Sequence, residues 1–577
     1  MRCRRAWAAA GLLAALTSPA NAQSGPADLI LVNARVYTLS WGEPARDGTP
    51  AKNAPRTASG WRPDAEAVVI QGDRIVFVGR SADAEKHRGP KTRVVDVRGA
   101  TVVPGLVDSH THVPGLGERQ SGVDLTGVLT EAEAVARVAA HATKVPKGQW
   151  ISGRGWDEGA WANRYPDLKL LSERVPDHPV VLVGLHSFAA WGNRLALQKA
   201  GITKATPAPE GGEIRKDAQG DPTGMFLNRA TSLLTSAIPP PTAEQLRGYV
   251  LAGLERMARD GYVAVHEAGA DAPLMKALLD LNAEQRLPIR VYAMLAARDE
   301  ALCRRWLARG PDRAATGMLT TRSVKAFYDG ALGSRGARLL EDYSDRPGHK
   351  GVSGSNYGFD RKLVADMMKA GFQVAIHAIG DAGNRETLDF IESVYAEAPA
   401  ARGLRHRIEH AQVLHPLDIP RFSRLDVIAS MEPPHCAEDK AWAEARLGAV
   451  RVKGAYAWRS LRRSGARLAF NSDLIGSDHD IFYGLHSAIT RRDQKLEPAA
   501  GWYPEERMTA EEALRGYTSW NAYPAFWEGE TGVIAPGRWA DLTVLDVDPL
   551  VLGDTDPARL LQGKVRMTIV AGKVRHQ

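Results

Sequence analysis

Eight short apolar runs recur through the middle of the chain with amphipathic helical stretches between them, and this alternation limits the fold more than any other feature. The runs are Gly105–Asp108, Tyr262–His266, Ile289–Ala293, Val324–Phe327, Gln373–His377, Arg407–His410, Val427–Ser430 and Arg467–Phe470. Each has the length of a strand, whereas intervening stretches such as Thr242–Arg259 and Arg361–Ala370 carry the periodicity of helices. Alternation of this kind builds parallel βα units, and eight of them assemble most economically as an α/β fold, a (β/α)8 barrel of the TIM type. Residues 115–240 break the pattern and read as an insertion after the first barrel strand, holding Trp150, Trp156, Trp161 and Trp191. Large aromatics are mostly buried, which favours a core role for these four; Trp156 is also a candidate substrate contact.

Both ends of the chain read as short strands instead. Asp28–Val32, Ala67–Ile70, Arg74–Val78, Arg93–Val97 and Ala100–Val103 precede Pro104-Gly105, and Ala540–Asp546 and Val565–Val570 lie near the far terminus. The expected organisation is a small β-sandwich domain from 23–103 plus 530–577 around a barrel domain at 104–529, with the insertion at about 115–240. A length of 577 residues alone would allow three or four domains of about 150 residues, so the pattern reduces the count.

The first 22 residues have a basic start at Met1–Arg5, an apolar run at Ala6–Leu16 and Ala20-Asn21-Ala22, the layout of a secretory signal peptide cut before Gln23. A periplasmic or secreted protein is the expectation. Arg4-Arg5 loosely resembles a twin-arginine signal. No later stretch reaches the length of apolar sequence that spans a bilayer, so no stable membrane insertion is expected once the leader is removed. Net charge is +7, and three of the basic residues, Arg2, Arg4 and Arg5, lie in the acid-free leader. The remaining surplus is too small over this much surface to argue for nucleic acid as a partner. Of three cysteines, Cys3 leaves with the leader, and Cys303 and Cys436 form no thiolate zinc pattern. A metal would therefore need nitrogen and oxygen ligands.

Such ligands stand where barrel active sites are built, at the C-terminal ends of strands. In Asp108-Ser109-His110-Thr111-His112, side-chain alternation points His110 and His112 the same way, about 7 Å apart along an extended chain. Lys325, His377 and His410 follow at successive strand ends, and Asp473 follows the last strand. Any one strand-end histidine is commonly structural; the whole set in barrel order is hard to explain that way. Imidazoles bind a borderline ion such as zinc, and the carboxylate ligates it or moves protons. A lysine ammonium would be repelled by such ions, so Lys325 fits only if neutral or carbamylated by CO2. The chemistry these residues suit is metal-assisted hydrolysis, with Asp473 taking a proton from an activated water and passing it to the leaving group.

Pro104-Gly105-Leu106-Val107-Asp108-Ser109-His110-Thr111-His112 resembles the first-strand motif of the amidohydrolase superfamily. Val324-Lys325-Ala326-Phe327-Tyr328-Asp329-Gly330, His377-Ala378-Ile379-Gly380-Asp381, Arg407-Ile408-Glu409-His410-Ala411-Gln412 and Gly537-Arg538-Trp539-Ala540-Asp541-Leu542 are similar to its amidohydrolase 3 branch, the YtcJ-like group that includes N-substituted formamide deformylases. The resemblance spans nearly the whole chain after the leader. It implies a barrel with a sandwich from both termini, one or two divalent metals, zinc foremost, held by His110, His112, His377 and His410, Lys325 as an N6-carboxylated bridge, and Asp473 as the catalytic acid and base. It also implies a small-molecule substrate, and barrels of this kind often form homodimers.

Around this shell, Asp329, Arg335, Glu432, His435 and Phe188 join Trp156 as candidate substrate contacts. Arg335 has two readings, a grip on a substrate carboxylate or carbonyl, or an ion pair with Asp329 or Glu341. His266 reads as a core or supporting histidine. The chain departs from the branch at Glu432-Pro433, at Asn471-Ser472-Asp473 and its following residues, and at His186-Ser187-Phe188. These are substrate-facing positions; the added Glu432 carboxylate and Phe188 ring would suit a partly apolar substrate with a basic group. The leading functional expectation is hydrolysis of C–N bonds, amide or N-acyl or N-formyl, in small molecules. Ester, lactone or carbamate hydrolysis on the same site is the alternative, and a catalytically silent binding protein a third.

Overall fold

The computed structural model describes residues 25–156, 165–184, 189–209, 212–313 and 317–577; the leader and Phe188 lie outside them. Eight parallel strands follow one another round the centre: β1 Leu106–Thr111, β2 Tyr262–Ala270, β3 Arg290–Ala296, β4 Leu319–Phe327, β5 Gln373–Ala378, β6 Arg407–His410, β7 Ile428–Met431 and β8 Leu468–Phe470. They are buried along nearly their whole length, as a parallel sheet covered by helices on one side and filled by side chains on the other must be. Every run read from the sequence is a strand here, and several extend beyond it at their C-terminal ends.

The helices form for local reasons. Ala243–Arg259 starts at a Thr242–Gln245 capping box and buries Val250, Gly253, Leu254, Met257 and Ala258, an i, i+3, i+4 stripe against the barrel. Helix Val113–Ser121 crosses it so closely that a Cβ on Gly117 would lie 1.8 Å from the Tyr249 carbonyl oxygen. That helix therefore packs with the barrel's own helices, and the sheet of the insertion runs over 123–228. Its six strands are ordered 123–124, 151–156, 180–184, 189–192, 222–228, 212–216.

β1 and β8 share no ladder at the seam of the barrel; an isolated bridge joins Thr111 to Leu474, four residues past the end of β8. Side chains complete the closure. Asn521 Nδ2 donates to the carbonyls of Val107 and Phe470 at 2.6 and 2.7 Å, and its Oδ1 accepts from the Phe470 N–H. Ser109 Oγ also donates to the Phe470 carbonyl.

The terminal segments form two further sheets, one of strands 74–79, 67–71, 29–32 and 93–96, the other of 35–36, 101–104, 542–545, 565–570 and 573–576. Leu31, Val68 and Ile70 of the first share one apolar cluster with Val102, Leu542 and Ile569 of the second. Arg290 at the start of β3 ties this unit to the barrel: its guanidinium pairs with Asp541 at 2.7 Å, both fully enclosed, and lies 3.7 Å from the centre of the Trp539 ring. Cys303 and Cys436 are buried free thiols, and no described helix is long and apolar enough to cross a membrane.

Candidate metal centre

The C-terminal strand ends converge on one polar cluster. His110 lies in β1 and His112 one residue past it, with ring centroids 5.4 Å apart. Lys325, near the end of β4, puts Nζ 3.0 Å from His110 Nε2. His377 in β5 and His410 at the end of β6 meet edge to face at 4.4 Å. Asp473, just past β8, brings Oδ1 to 3.5 Å from His110 Nε2 and 3.3 Å from His112 Nε2. The structure thus gathers His110, His112, Lys325, His377, His410 and Asp473 in one place. Among the described residues, two groups of donor atoms share Asp473, one with His110 and His112 and one with His410 and His435, each within 4.8 Å.

Backbone geometry is bent to achieve this. His410, Ala411 and Asp473 all have positive φ, at 72°, 42° and 49°, a region that costs side-chain-bearing residues about 1–2 kcal/mol each. Strain of this sort persists only where surrounding structure enforces it, and it is characteristic of working sites.

The protonation states suit a cation. Burial, reinforced by the Lys325 charge, pushes His110 down to about 4, and burial holds His377 well below the usual imidazole range, so both rings offer lone pairs at neutral pH. Burial also lowers Lys325 to about 8. Burial opposes ionisation of Asp473, but His110, His112 and His410 outweigh it and hold the carboxyl well below its ordinary value. His377 Nε2 is buried without a hydrogen bond from any described residue. An orphaned nitrogen of this kind calls for a partner, and a divalent ion on a nitrogen and oxygen donor set supplies one. The residues present therefore fit a metal.

Two further residues in the Arg407–Gln412 motif prove to organise the site. Glu409 Oε2 accepts from His110 Nδ1 at 2.7 Å, and Arg407 holds the same carboxylate through Nε and Nη2 at 2.7 and 2.9 Å. Arg407 also bonds His266 Nδ1, the Ser109 carbonyl and Ser430 Oγ, which gives His266 a supporting place. The signal for them is in the sequence: an Arg and a Glu two apart on a buried strand face are rare unless paired.

The expected substrate contacts fare differently. Asp329 has no exposed surface; its carboxylate accepts the N–H groups of Ile379, Gly380 and Arg338, each at 2.9 Å, and lies 3.8 Å from His377 Nε2. It shapes the loop after β5 rather than facing substrate, and burial raises it to about 7. Arg335 makes an ion pair, but with Asp345, at 2.8 Å, rather than Asp329 or Glu341, and Arg446 shares that carboxylate. Trp156 is fully buried in the insertion core, with Nε1 donating to the Leu182 carbonyl and its ring edge to face with Trp191. Glu432 is 2% exposed and lies 3.2 Å from His410 Nδ1 and 3.7 Å from His435 Nδ1. Its charge is taken up inside the site, which removes the argument for a basic substrate group. His435 stands in the first turn of helix Pro433–Asp439, its ring parallel to that of His410 at 6.4 Å. Sequence reasoning missed Phe327, whose ring lies 5.2 Å from that of His377 and 5.0 Å from Lys325 Nζ.

Known proteins are similar to this chain over most of its length. YtcJ of Bacillus subtilis is 32% identical over 521 residues, covering 89% of this chain and 96% of its own. An N-substituted formamide deformylase of Arthrobacter pascens is 28% identical over 570 residues, covering 95% and 98%. The crystal structure of an uncharacterized metal-dependent hydrolase from Pyrococcus furiosus superposes with a TM-score of 0.71 at 26% identity, over 90% of this chain and 99% of that one. The sequence profile of the amidohydrolase family matches residues 93–576, and with the barrel and its strand-end histidines in place the chain belongs to that family.

Proposed function

We propose that the protein is a metal-dependent hydrolase of C–N bonds, acting on amide, N-acyl or N-formyl groups of small molecules after export through the leader at 1–22. The observation that carries this reading is the Asp473 carboxylate shared between two groups of histidine donors. The likeness to a formamide deformylase supports the bond class. His110, His112, His377, His410 and Asp473 would hold one or two divalent ions, and Lys325, once N6-carboxylated, would add a carboxylate to that donor set. A bound ion, zinc first for this donor set, supplies Lewis acidity and lowers the pKa of water toward neutrality.

The chain's own groups do the rest. Glu409 is ionised well below its ordinary pKa; burial opposes this and Arg407 overcomes it. It can therefore only accept, so His110 carries its proton on Nδ1 and keeps Nε2 free. Asp473 takes the proton of the attacking water and returns it to the departing nitrogen, a transfer worth typically 10²- to 10⁴-fold in rate. Lys325, lowered by burial, presents the neutral amine that adds CO2.

The test is a panel of matched amides, N-formyl amines, esters and carbamates assayed with zinc-loaded protein. Turnover of the amides or formamides, lost on Asp473→Asn, is expected. Turnover confined to esters or carbamates would replace the C–N reading, and activity indifferent to both metal and Asp473→Asn would remove the hydrolase reading altogether.

A further inference from the structure

The geometry points to Arg298 as a specificity residue that binds a carboxylate on the substrate, so that the substrate class is N-acyl or N-formyl compounds carrying an acid group. A cleft of 690 Å³ reaches the metal centre, and His112, Lys325, Phe327 and Arg298 all line it. Arg298 is held there by the barrel. It follows Ala297, whose N–H bonds the Lys325 carbonyl at 2.9 Å where β3 runs beside β4. The Phe327 ring then joins the two regions: Lys325 Nζ is 5.0 Å from its centre and the Arg298 guanidinium 4.4 Å. A molecule lying along that ring would reach the metal centre at one end and Arg298 at the other.

Among the described residues, no carboxylate pairs with Arg298. Its described contacts are the rings of Phe327 and Tyr357 and a long bond to the Tyr357 carbonyl, none of them a carboxylate. The acids that share the cleft are engaged elsewhere. Asp271 accepts the Leu274 N–H, Asp299 accepts those of Leu302 and Ala272, and Glu300 pairs with Arg304. A guanidinium stacked on an aromatic face keeps its in-plane donors free, the arrangement suited to bidentate grip on a carboxylate.

This inference rests on the C–N reading above, and the test separates the two. The zinc-loaded enzyme is assayed on N-formylphenylalanine and on N-formylphenethylamine, which lacks only the carboxylate, and binding of 3-phenylpropionate is followed by calorimetry. Wild type is expected to favour the acid, the acid-to-neutral ratio of kcat/KM to fall at least tenfold in Arg298→Ala, chiefly through KM, and Arg298→Lys to recover part of it. The affinity for 3-phenylpropionate is expected to fall about tenfold in Arg298→Ala. An unchanged ratio, or unchanged 3-phenylpropionate affinity, overturns the role of Arg298 whatever bond is cleaved. Loss of 3-phenylpropionate affinity with neither formamide turned over upholds Arg298 and defeats the C–N reading instead.

Discussion

His110 and Glu409, 299 positions apart, are joined by a 2.7 Å hydrogen bond beneath the metal centre, and Arg407 holds the carboxylate from the other side. The bond fixes which imidazole nitrogen faces the cluster. It also means that an ion pair buried in the barrel interior sets the lone pair of a ligand.

Glu409→Gln should weaken zinc binding by about 10- to 100-fold, the usual consequence of altering the partner of a ligating imidazole. Competition with a chelator of known affinity reads this directly. Unaltered affinity would show that Glu409 does not orient His110.

Lys325 should gain the mass of one CO2 when metal-free protein is reconstituted with zinc and bicarbonate. With its amine lowered to about 8, the neutral fraction grows as pH rises toward and past that value, so uptake should be faster at pH 8.5 than at pH 7. Native mass spectrometry that found no added mass at either pH would rule out the carbamate.

Asn521→Ala should destabilise the protein by about 3 kcal/mol, since it strands the buried Val107 carbonyl and Phe470 N–H at the seam and leaves the Phe470 carbonyl to Ser109 Oγ alone. Urea unfolding measures the loss. A change under 0.5 kcal/mol, the range usual for surface substitutions, would mean that the seam is closed by other contacts.

Glu267 gives a pH signature. Its buried carboxyl, which accepts the Val113 N–H, is raised from 4.5 to about 7 by burial. The folded state thus favours the protonated form, and this contribution is fully present below pH 4.5 and lost as pH rises through 7, at about 1.4 kcal/mol per unit of difference. In metal-free protein, the urea midpoint should fall between pH 5 and pH 7, and Glu267→Gln should flatten that fall. An equal slope in both proteins would assign the pH dependence to other groups.

Much of this molecule was legible in the chain. Strand and helix periodicities are local, so the eight barrel runs, and with them the positions of His110, His112, Lys325, His377, His410 and Asp473 at strand ends, could be read without coordinates. Strand ends in a barrel converge by topology, which is why those six residues meet. Side chains whose partners lie on other strands or loops were not legible. Arg335 lies ten positions from Asp345 and takes it over the acids expected, Asp329 turns inward to three backbone N–H groups, Trp156 packs into the insertion core, and Glu432 is neutralised where it stands. Whether a charge or a ring faces substrate or a neighbour depends on packing across the barrel mouth. Sequence therefore determined the scaffold and the donor set, while only the tertiary structure decided that Glu409 orients His110 and that Arg298 pairs with no acid among the described residues, because burial and distance are properties of the assembled fold.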